Sequence, residues 1–379
     1  WWETAPQMAL SNNSVVYTDK PDGETFLREW TSLVESKSGE RGIFNRISAK
    51  EQAKKFGRRD ADHEFGCNPC SEIILRPYQF CNLTEVVIRE KDKFEDLKRK
   101  VMLATILGTA QSTLTKFPYL RKIWNKNTEE ERLLGVSLTG IMDNELTNGR
   151  KHGLEKTLTA LREVAVETNK EWSAIFGIPQ STAITCVKPS GTVSQLVDSS
   201  SGIHPRHSSY YIRTVRGDNK DPLTNFMIDS GIPSEADFMK PDTQTVFSFP
   251  MKSPKKSVVR NDMTAIQQLE MWLLYQRHWC EHKPSVTISV RDDEWMEVGA
   301  FVFKHFDEMS GVSFLPHSDH TYQQAPYQDC TKAVYDDFSS KFSHIDWNKF
   351  TDYEKEDNTN SSQTFACSGD SCEIVDIGA

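Results

Sequence analysis

The sequence predicts an α/β fold with a mainly parallel sheet or barrel, because segments of helical and strand character alternate along the chain. Hydrophobic residues make up 37% of the 379 residues and charged residues 26%, so the chain can form a sizeable core. The net charge of −9 argues against a dedicated nucleic-acid binder. No apolar run approaches the roughly 20 residues of a membrane span, so we expect no membrane partner.

Two segments carry apolar residues at helical spacing and are predicted helices, at 154–172 and 264–280. Asp292 is a candidate N-cap for a third helix. Between these helices lie strand patterns. The run 183–187 is short and wholly apolar apart from Thr185, which predicts a buried strand.

Apolar and other residues alternate cleanly from Val286 to Val290, which predicts another strand, and Val312 and Phe314 indicate a third. Near the end of the chain, residues 351–366 are mostly polar and predict a flexible linker.

The chain has eight cysteines and no secretion signal, which favours a reducing, cytoplasmic compartment. It begins at Trp1 without an initiator Met, so we expect that it was processed or that its true beginning lies elsewhere.

The segment Gly66–Leu75 contains an amide, a thiol and a carboxylate at alternate positions, namely Asn68, Cys70 and Glu72. Pro69 disfavours the α region for Asn68, so we expect an extended segment with these three side chains on one face, about 7 Å apart. Such a set suits chemistry on a substrate that carries hydroxyl groups.

From spacing alone, Cys67 and Cys70 fit a zinc or redox pair equally well. A zinc site would need two more ligands, for which His63, Cys81 or the two cysteines near the C-terminus are candidates.

The small residues Pro189, Ser190, Gly191 and Thr192 follow the predicted strand 183–187. Backbone N–H groups in such a loop can bind an anion, and ligands favour the carboxyl ends of parallel strands. An ordinary turn is the alternative.

Four motifs in the same order resemble those of ribonucleotide reductases, above all the monomeric, adenosylcobalamin-dependent (class II) ribonucleoside-triphosphate reductases. They are Asn-Pro-Cys-Ser-Glu-Ile at 68–73 with Phe-Cys-Asn-Leu at 80–83, Lys-Pro-Ser-Gly-Thr-Val-Ser at 188–194, the segment 279–287, and Cys-Ser-Gly-Asp-Ser-Cys at 367–372. One departure is Lys283, where we expect Asn.

The resemblance implies roles for the residues of the first motif. Cys70 would carry a thiyl radical that abstracts the 3′-hydrogen of the substrate, Glu72 would be the general base, and Asn68 would bind the substrate hydroxyls. Cys81 would be one half of a thiol pair that becomes a disulfide. Residues 189–193 would form the substrate-phosphate loop, namely Pro189, Ser190, Gly191, Thr192 and Val193.

The resemblance also implies a fold and a domain organisation. Residues 1–350 would be the second half of a ten-stranded α/β barrel with the catalytic cysteine on a central loop. After the linker 351–366, residues 367–379 would form a redox-active dithiol tail, in which Cys367 and Cys372 reduce the active-site disulfide and are re-reduced by a thioredoxin-like partner. Adenosylcobalamin is the implied cofactor, and no metal site is expected.

The same resemblance places an N-terminal half of the barrel upstream of Trp1, with the effector site and the partner cysteine of Cys81. We therefore predict that this chain alone does not turn over a ribonucleoside triphosphate. Two rival interpretations are an iron-dependent reductase with a separate radical subunit and a non-catalytic zinc or thiol-exchange module. The module would use Cys67 and Cys70 with Cys367 and Cys372.

The remaining cysteines and histidines are expected to be structural. This set comprises Cys186, Cys280 and Cys330, the bystander Cys67, and His204 and His207 near the phosphate loop.

Overall fold

The computed structural model describes residues 14–37, 42–317 and 323–354, which form a mixed α/β structure. The strands are β1 (Ser14–Tyr17), β2 (Gly42–Asn45), β3 (Gly66–Cys67), β4 (Ile74–Leu75), β5 (Asn82–Val87), β6 (Leu134–Thr139), β7 (Tyr210–Asp218), β8 (Ser234–Ala236), β9 (Gln244–Lys252), β10 (Val286–Val290), β11 (Val312–Pro316) and β12 (Tyr327–Asp329). The helices are α1 (Gly23–Ser36), α2 (Arg46–Lys55), α3 (Phe94–Gln111), α4 (Lys122–Glu131), α5 (Leu154–Phe176), α6 (Thr192–Leu196), α7 (Pro222–Asp229), α8 (Ala265–His278), α9 (Trp295–Lys304) and α10 (Lys332–Ser340). Short 3₁₀ helices lie at Ile141–Asp143, Arg260–Asp262 and Trp347–Asp352.

Five parallel segments form the centre of the molecule. β5 pairs with β6, and β10 pairs with β11, both in parallel. The extended segment 183–187 joins the two pairs, because Thr185 bridges Val136 of β6 and Val187 bridges Pro284 just before β10. The predicted buried strand therefore lies in the middle of a parallel arrangement, held by single bridges and not by a long ladder.

The curved sheet continues past β11 with a change of direction. β2 is antiparallel to β11, through the pair Ile43 and Val312, and β1 is parallel to β2. Within the described ranges, β5 pairs only with β6 and β1 pairs only with β2, so both outer edges of the arrangement are open. The predicted α/β class is confirmed, whereas closure into a ten-stranded barrel stays a prediction.

Helices cover this sheet because their apolar stripes are buried against it. α5 buries Leu158 and Leu161 completely, and α8 buries Leu269 and Trp272. Both helices were predicted from their spacing and are confirmed. The predicted cap Asp292 is wrong: α9 begins after Glu294, whose carboxylate accepts from the Arg291 backbone N–H at 2.9 Å, so one further turn precedes the helix.

A second, antiparallel sheet of order β12-β7-β9-β8 packs with α7 around Phe226 and Phe247. The 3₁₀ helix Trp347–Asp352 covers this small core, and the Tyr353 hydroxyl donates to Asp229 at 2.9 Å. At the start of the predicted linker, Tyr353 therefore packs against α7 through Phe226, while Thr351, Asp352 and Glu354 are exposed. The rest of the linker and the tail with Cys367 and Cys372 lie outside the described residues.

Across the described ranges, no helix combines the length and the apolar character that a membrane span requires.

Candidate active site

The segment that carries Cys70 is a hairpin. β3 and β4 pair in antiparallel fashion, and the Ser71 N–H donates to the Asn68 carbonyl at 2.9 Å, which closes a β-turn with Pro69 at its second position. Ser71 then adopts a left-handed conformation with φ of 64°. The predicted extended segment is wrong, because the fixed φ of proline suits the second position of a turn as well as an extended chain.

The turn brings the amide of Asn68 into contact with the carboxylate of Glu72. Asn68 Nδ2 donates to Glu72 Oε1 at 2.7 Å, while its Oδ1 accepts from the Ile73 N–H at 3.0 Å. The two side chains therefore meet directly and are not spaced along a strand. The sequence did not predict the geometry that joins these side chains, and their roles stay a prediction.

Glu72 is completely buried and has one cationic partner among the described residues. Lys188, at the end of the segment 183–187, places Nζ 3.0 Å from Glu72 Oε1. Both donors reach the same oxygen, and the other oxygen, Oε2, is buried without a hydrogen-bond partner in the described part of the chain. The carboxylate thus keeps one unused acceptor inside the site, which is unusual for a buried polar atom.

Cys70 lies at the third position of the turn and is partly buried. Burial raises the pKa of its thiol, the Lys188 ammonium acts in the opposite direction, and the Glu72 carboxylate raises it further. Lys188 is therefore close enough to Cys70 to act on the charge of its thiol. Cys70 is therefore held as a neutral thiol at neutral pH, a form with a hydrogen atom to give.

Cys81 follows a loop that buried polar groups hold rigidly. Arg59 donates to both carboxylate oxygens of Glu131 at 2.9 and 2.8 Å, and both side chains are almost fully buried. Gln79 joins this pair through Glu131, and its Oε1 accepts from the Arg76 N–H at 2.8 Å. Burial, with a contribution from Glu72, raises the pKa of the Cys81 thiol far above its usual range.

Two glycines make room for the hairpin. A Cβ at Gly135 on β6 would lie 2.5 Å from Leu83 Cδ2, 3.0 Å from Ile73 Cδ1 and 3.2 Å from the sulfur of Cys81. A Cβ at Gly311, where φ is +74°, would lie 3.0 Å from the Ser71 carbonyl oxygen. Only glycine allows both close approaches without a shift of the backbone.

The predicted phosphate loop follows the segment 183–187, as expected, and leads into the short helix α6. Ser190 is buried: its hydroxyl donates to Glu85 Oε2 at 2.9 Å and accepts from the Ser194 N–H at 3.1 Å. Pro189 is half-buried, while Gly191, Thr192 and Val193 are exposed. Phosphate binding by these residues stays a prediction.

The two histidines near this loop have structural partners. His204 contacts the Ser201 carbonyl at 2.9 Å and accepts from the Thr287 N–H at 3.0 Å. His207 lies 3.0 Å from Asp329. Among the described residues, no three His, Cys, Asp or Glu side chains are grouped so as to hold a metal ion.

The other four described cysteines, which were predicted to be structural, are buried or partly buried. Cys186 and Cys280 are fully buried, and burial raises the pKa of both thiols well above the usual range. Cys330 is half-buried in the region of the antiparallel sheet. Cys67 packs with the small cluster around Phe44, and its sulfur lies 3.4 Å from the Ser71 hydroxyl.

Sequence reasoning missed the contacts that two lysines make with the hairpin residue Glu72. Lys188 entered only as part of a motif, although a lysine directly after a buried strand is a signal in itself. Lys283 is completely buried: its Nζ donates to Ser310 Oγ at 2.9 Å and lies 4.5 Å from the centre of the Phe44 ring. Its backbone N–H donates to the Glu72 carbonyl at 3.0 Å, and burial lowers the pKa of its side chain to about 8.

Comparison with curated proteins gives relatives of one kind. A probable adenosylcobalamin-dependent ribonucleoside-triphosphate reductase of Dictyostelium discoideum is 28% identical over 317 residues, which cover 82% of this chain and 40% of the relative. The adenosylcobalamin-dependent ribonucleoside-triphosphate reductase of Lactobacillus gasseri is 28% identical over 365 residues, with 86% and 47% covered. The chain therefore spans less than half the length of these relatives. No protein-family model matches it.

Solved structures give the same answer for the fold. A B-12 dependent (class II) ribonucleotide reductase superposes with a TM-score of 0.78 at 24% identity, covering 93% of this chain and 53% of that one. The α subunit of the class Id ribonucleotide reductase of Actinobacillus ureae gives a TM-score of 0.50 at 14% identity, with 78% and 62% covered. The chain is therefore similar in sequence to adenosylcobalamin-dependent ribonucleoside-triphosphate reductases and similar in fold to a class II ribonucleotide reductase.

Proposed function

We propose that this chain supplies the active-site part of an enzyme that reduces ribonucleoside triphosphates to 2′-deoxyribonucleoside triphosphates in the cytoplasm. One observation carries the proposal: the Asn68–Ser71 turn gathers a neutral thiol, an amide and a buried carboxylate with one free oxygen. The relatives named as reductases give the substrate class. Because the chain spans less than half of their length, the activity belongs to an assembly larger than the described residues.

In the proposed reaction, Cys70 as a thiyl radical takes the 3′-hydrogen atom of the ribose, and Glu72 Oε2 takes the proton of the 3′-hydroxyl. The 2′-hydroxyl then leaves as water. Cys81 and a partner thiol outside this chain supply the two electrons and two protons and become a disulfide. Cys70 returns the hydrogen atom to C3′, which restores the thiyl radical, and Glu72 returns its proton to the 3′-oxygen. Asn68 donates a hydrogen bond to Glu72 and so holds the carboxylate in place. Asn68 also hydrogen-bonds the substrate hydroxyls.

The site chemistry fits an adenosylcobalamin-dependent enzyme. Cys70 keeps its hydrogen at neutral pH and is only partly buried, so a group outside the hairpin can reach its sulfur. Adenosylcobalamin, when bound, supplies the radical chemistry that turns such a thiol into a thiyl. Cys70 is the residue that we assign to face the cofactor.

Re-reduction of the disulfide is assigned to Cys367 and Cys372, which would exchange with it and then with a thioredoxin-like protein. Residues 189–193 are assigned to the substrate phosphates through their backbone N–H groups, since Gly191, Thr192 and Val193 are exposed at the end of a central segment.

The part that completes the sheet would dock beside β5. The outer edge of β5 and the flank of α3 enclose a groove of about 860 Å³. Leu103, Leu107 and Leu114 line it and are 51%, 63% and 71% exposed. Open strand edges and exposed leucines of this kind are normally covered in a finished protein, so we propose that the missing half of the barrel packs here.

The test is anaerobic formation of deoxyribonucleotide from a ribonucleoside triphosphate with adenosylcobalamin and a dithiol reductant. The chain is assayed alone and together with the separately expressed part of the Lactobacillus gasseri reductase to which it does not align. We expect product only from the combination, none with Cys70→Ser, and unchanged product with Cys330→Ser. Robust turnover by the chain alone would refute the incomplete-site proposal, and product with Cys70→Ser would refute the radical role of Cys70.

The iron-dependent alternative is separated by the cofactor requirement. An adenosylcobalamin enzyme loses activity under light when the cofactor is photolysed, and its cobalt gives a spectroscopic signal during turnover. Activity that needs a separate iron-containing subunit and ignores adenosylcobalamin would favour the alternative. For the zinc module, about one tightly held zinc per chain by metal analysis would contradict the radical role of Cys70.

A further inference from the structure

Lys188 lies between the hairpin that carries Cys70 and the predicted phosphate loop 189–193, and its side chain faces the hairpin. Its backbone N–H donates to Ser137 Oγ at 2.8 Å, which fixes the point where the central segment ends. From there the side chain reaches Glu72, with Nζ 3.0 Å from Oε1, and its ammonium lowers the pKa of the Cys70 thiol. The ammonium is thus turned towards the hairpin, although the next residues along the chain form the predicted phosphate loop.

The contact with Glu72 has a clear electrostatic reason. A completely buried carboxylate stays ionised only if a cation or several donors compensate for its lost hydration. Lys188 supplies that charge, and the pair favours its own charged form: burial opposes the charge on Lys188, but the Glu72 carboxylate outweighs this and raises the pKa of the lysine. Lys188 is therefore charged at neutral pH.

The contact also gives the carboxylate a direction. Asn68 and Lys188 both donate to Oε1, so the oxygen that remains available is Oε2. A base needs a free lone pair aimed at the proton that it removes. Without the lysine, the carboxylate would lose one of the two donors that fix its orientation.

We propose that Lys188 is a positioning residue of the reaction, which holds the Glu72 carboxylate with Oε2 free and acts on the Cys70 thiol, and that it does not bind the substrate phosphates. This inference rests on the proposed function, because it takes Glu72 to be the base. Its first test requires no turnover, so it can fail separately from the proposed function.

The first test measures how fast iodoacetamide alkylates Cys70 in the full 379-residue chain between pH 7 and 10.5, followed at the Cys70 peptide by mass spectrometry. Removing the ammonium raises the thiol pKa, and the higher nucleophilicity of the thiolate offsets part of the loss. We expect Lys188→Met to slow alkylation at pH 8 about three- to tenfold and to move the profile to higher pH. Lys188→Arg should stay within about twofold of the parent.

A matched control is Lys100→Met. Lys100 is 35% exposed and pairs with Asp92, whereas Lys188 is 33% exposed and pairs with Glu72. The control should leave the Cys70 profile unchanged, and thermal unfolding shows that each variant is folded. An unchanged profile in folded Lys188→Met would overturn the proposal.

The second test separates positioning from phosphate binding. Inorganic triphosphate is added to the parent chain and to Lys188→Met during alkylation. We expect it to affect the Cys70 rate by the same factor in both. A response in the parent that is lost in the variant would mean that the lysine binds phosphate, and would overturn the proposal. In the combined enzyme, the matching expectation is a lower kcat with KM for the triphosphate within about twofold.

Discussion

The hairpin with Cys70 and the loop 189–193 lie on either side of Lys188, yet they are held in opposite ways. In the hairpin, hydrogen bonds converge on Glu72 Oε1 and leave Oε2 unsatisfied inside the protein. In the loop, the Ser190 hydroxyl is used internally, and the neighbouring residues are exposed. The polar groups of the hairpin are thus fixed by internal contacts, whereas most of the loop is open to solvent.

The largest effect on activity is expected from replacing the carboxylate of Glu72, whose Oε2 is the free acceptor of the hairpin. Glu72→Gln keeps the hydrogen bonds of Oε1 in shape but cannot take a proton, so kcat of the combined enzyme should fall by roughly 10²–10⁴ with little change in KM. Steady-state kinetics checks this against Glu145→Gln, a carboxylate on the surface near Lys151. A variant with nearly full kcat would mean that Glu72 is not the base and that the hairpin does not carry the chemistry.

Steric pressure on the hairpin should have the next largest effect. Gly311→Ala combines a left-handed backbone with a contact to the Ser71 carbonyl, and we expect a loss of about 2–4 kcal/mol in the free energy of unfolding. Gly57→Ala is the matched control, since Gly57 has φ of +68° with nothing within 4 Å of its Cβ position. Chemical denaturation should give the control a loss of only about 1 kcal/mol. Equal losses would show that the Ser71 contact carries no strain.

The buried lysine beneath the hairpin should make stability depend on pH. Lys283 gives up its proton near pH 8 when folded and near 10.5 when unfolded, so the unfolded chain binds more protons between these values and stability rises with pH there. Lys283→Met removes the cost of burying the charge. We expect it to raise the free energy of unfolding by about 1–3 kcal/mol at pH 7 and by less at pH 10.

Thermal unfolding at both pH values measures this difference, with the exposed Lys332→Met as control. A variant that is less stable than the parent at pH 7 would show that the Ser310 hydrogen bond and the Phe44 ring outweigh the cost of burial.

The smallest effect belongs to the loop. Burial raises the pKa of Glu85, while the Ser190 hydroxyl and Lys188 oppose this. As the pH rises through the raised pKa of Glu85, the carboxylate becomes charged and repels a phosphate bound at the loop. Titration calorimetry with inorganic triphosphate should therefore show affinity falling with pH in the parent chain. In Glu85→Gln we expect the affinity to fall less steeply with pH and to be several-fold higher at pH 7. If the variant and the parent had the same pH dependence, residues 189–193 would not form the phosphate site.

Features that lie within one helix or strand could be predicted from the sequence, whereas contacts between distant residues could not. The alternation from Val286 to Val290 and the stripe that begins at Leu154 each lie within one element, so they predicted β10 and α5 directly. Pro69 is compatible with both a turn and an extended chain, and its local signal could not decide between them.

The lysines show a second limit. Lys188 meets Glu72 across 116 positions, and Lys283 meets Ser310 across 27. Neither contact has a periodic signature, because each depends on how the parallel segments are brought together. The resemblance to reductases identified the residues of the hairpin, while the partners that orient them came only from the fold.

The buried pair of Arg59 and Glu131 has a mechanical consequence for the sulfur chemistry. The loop before Cys81 is anchored through Gln79, and β5 begins immediately after Cys81, so this sulfur has little freedom to travel. In the proposed disulfide, we therefore expect Cys81 to stay in place and the partner sulfur to move towards it.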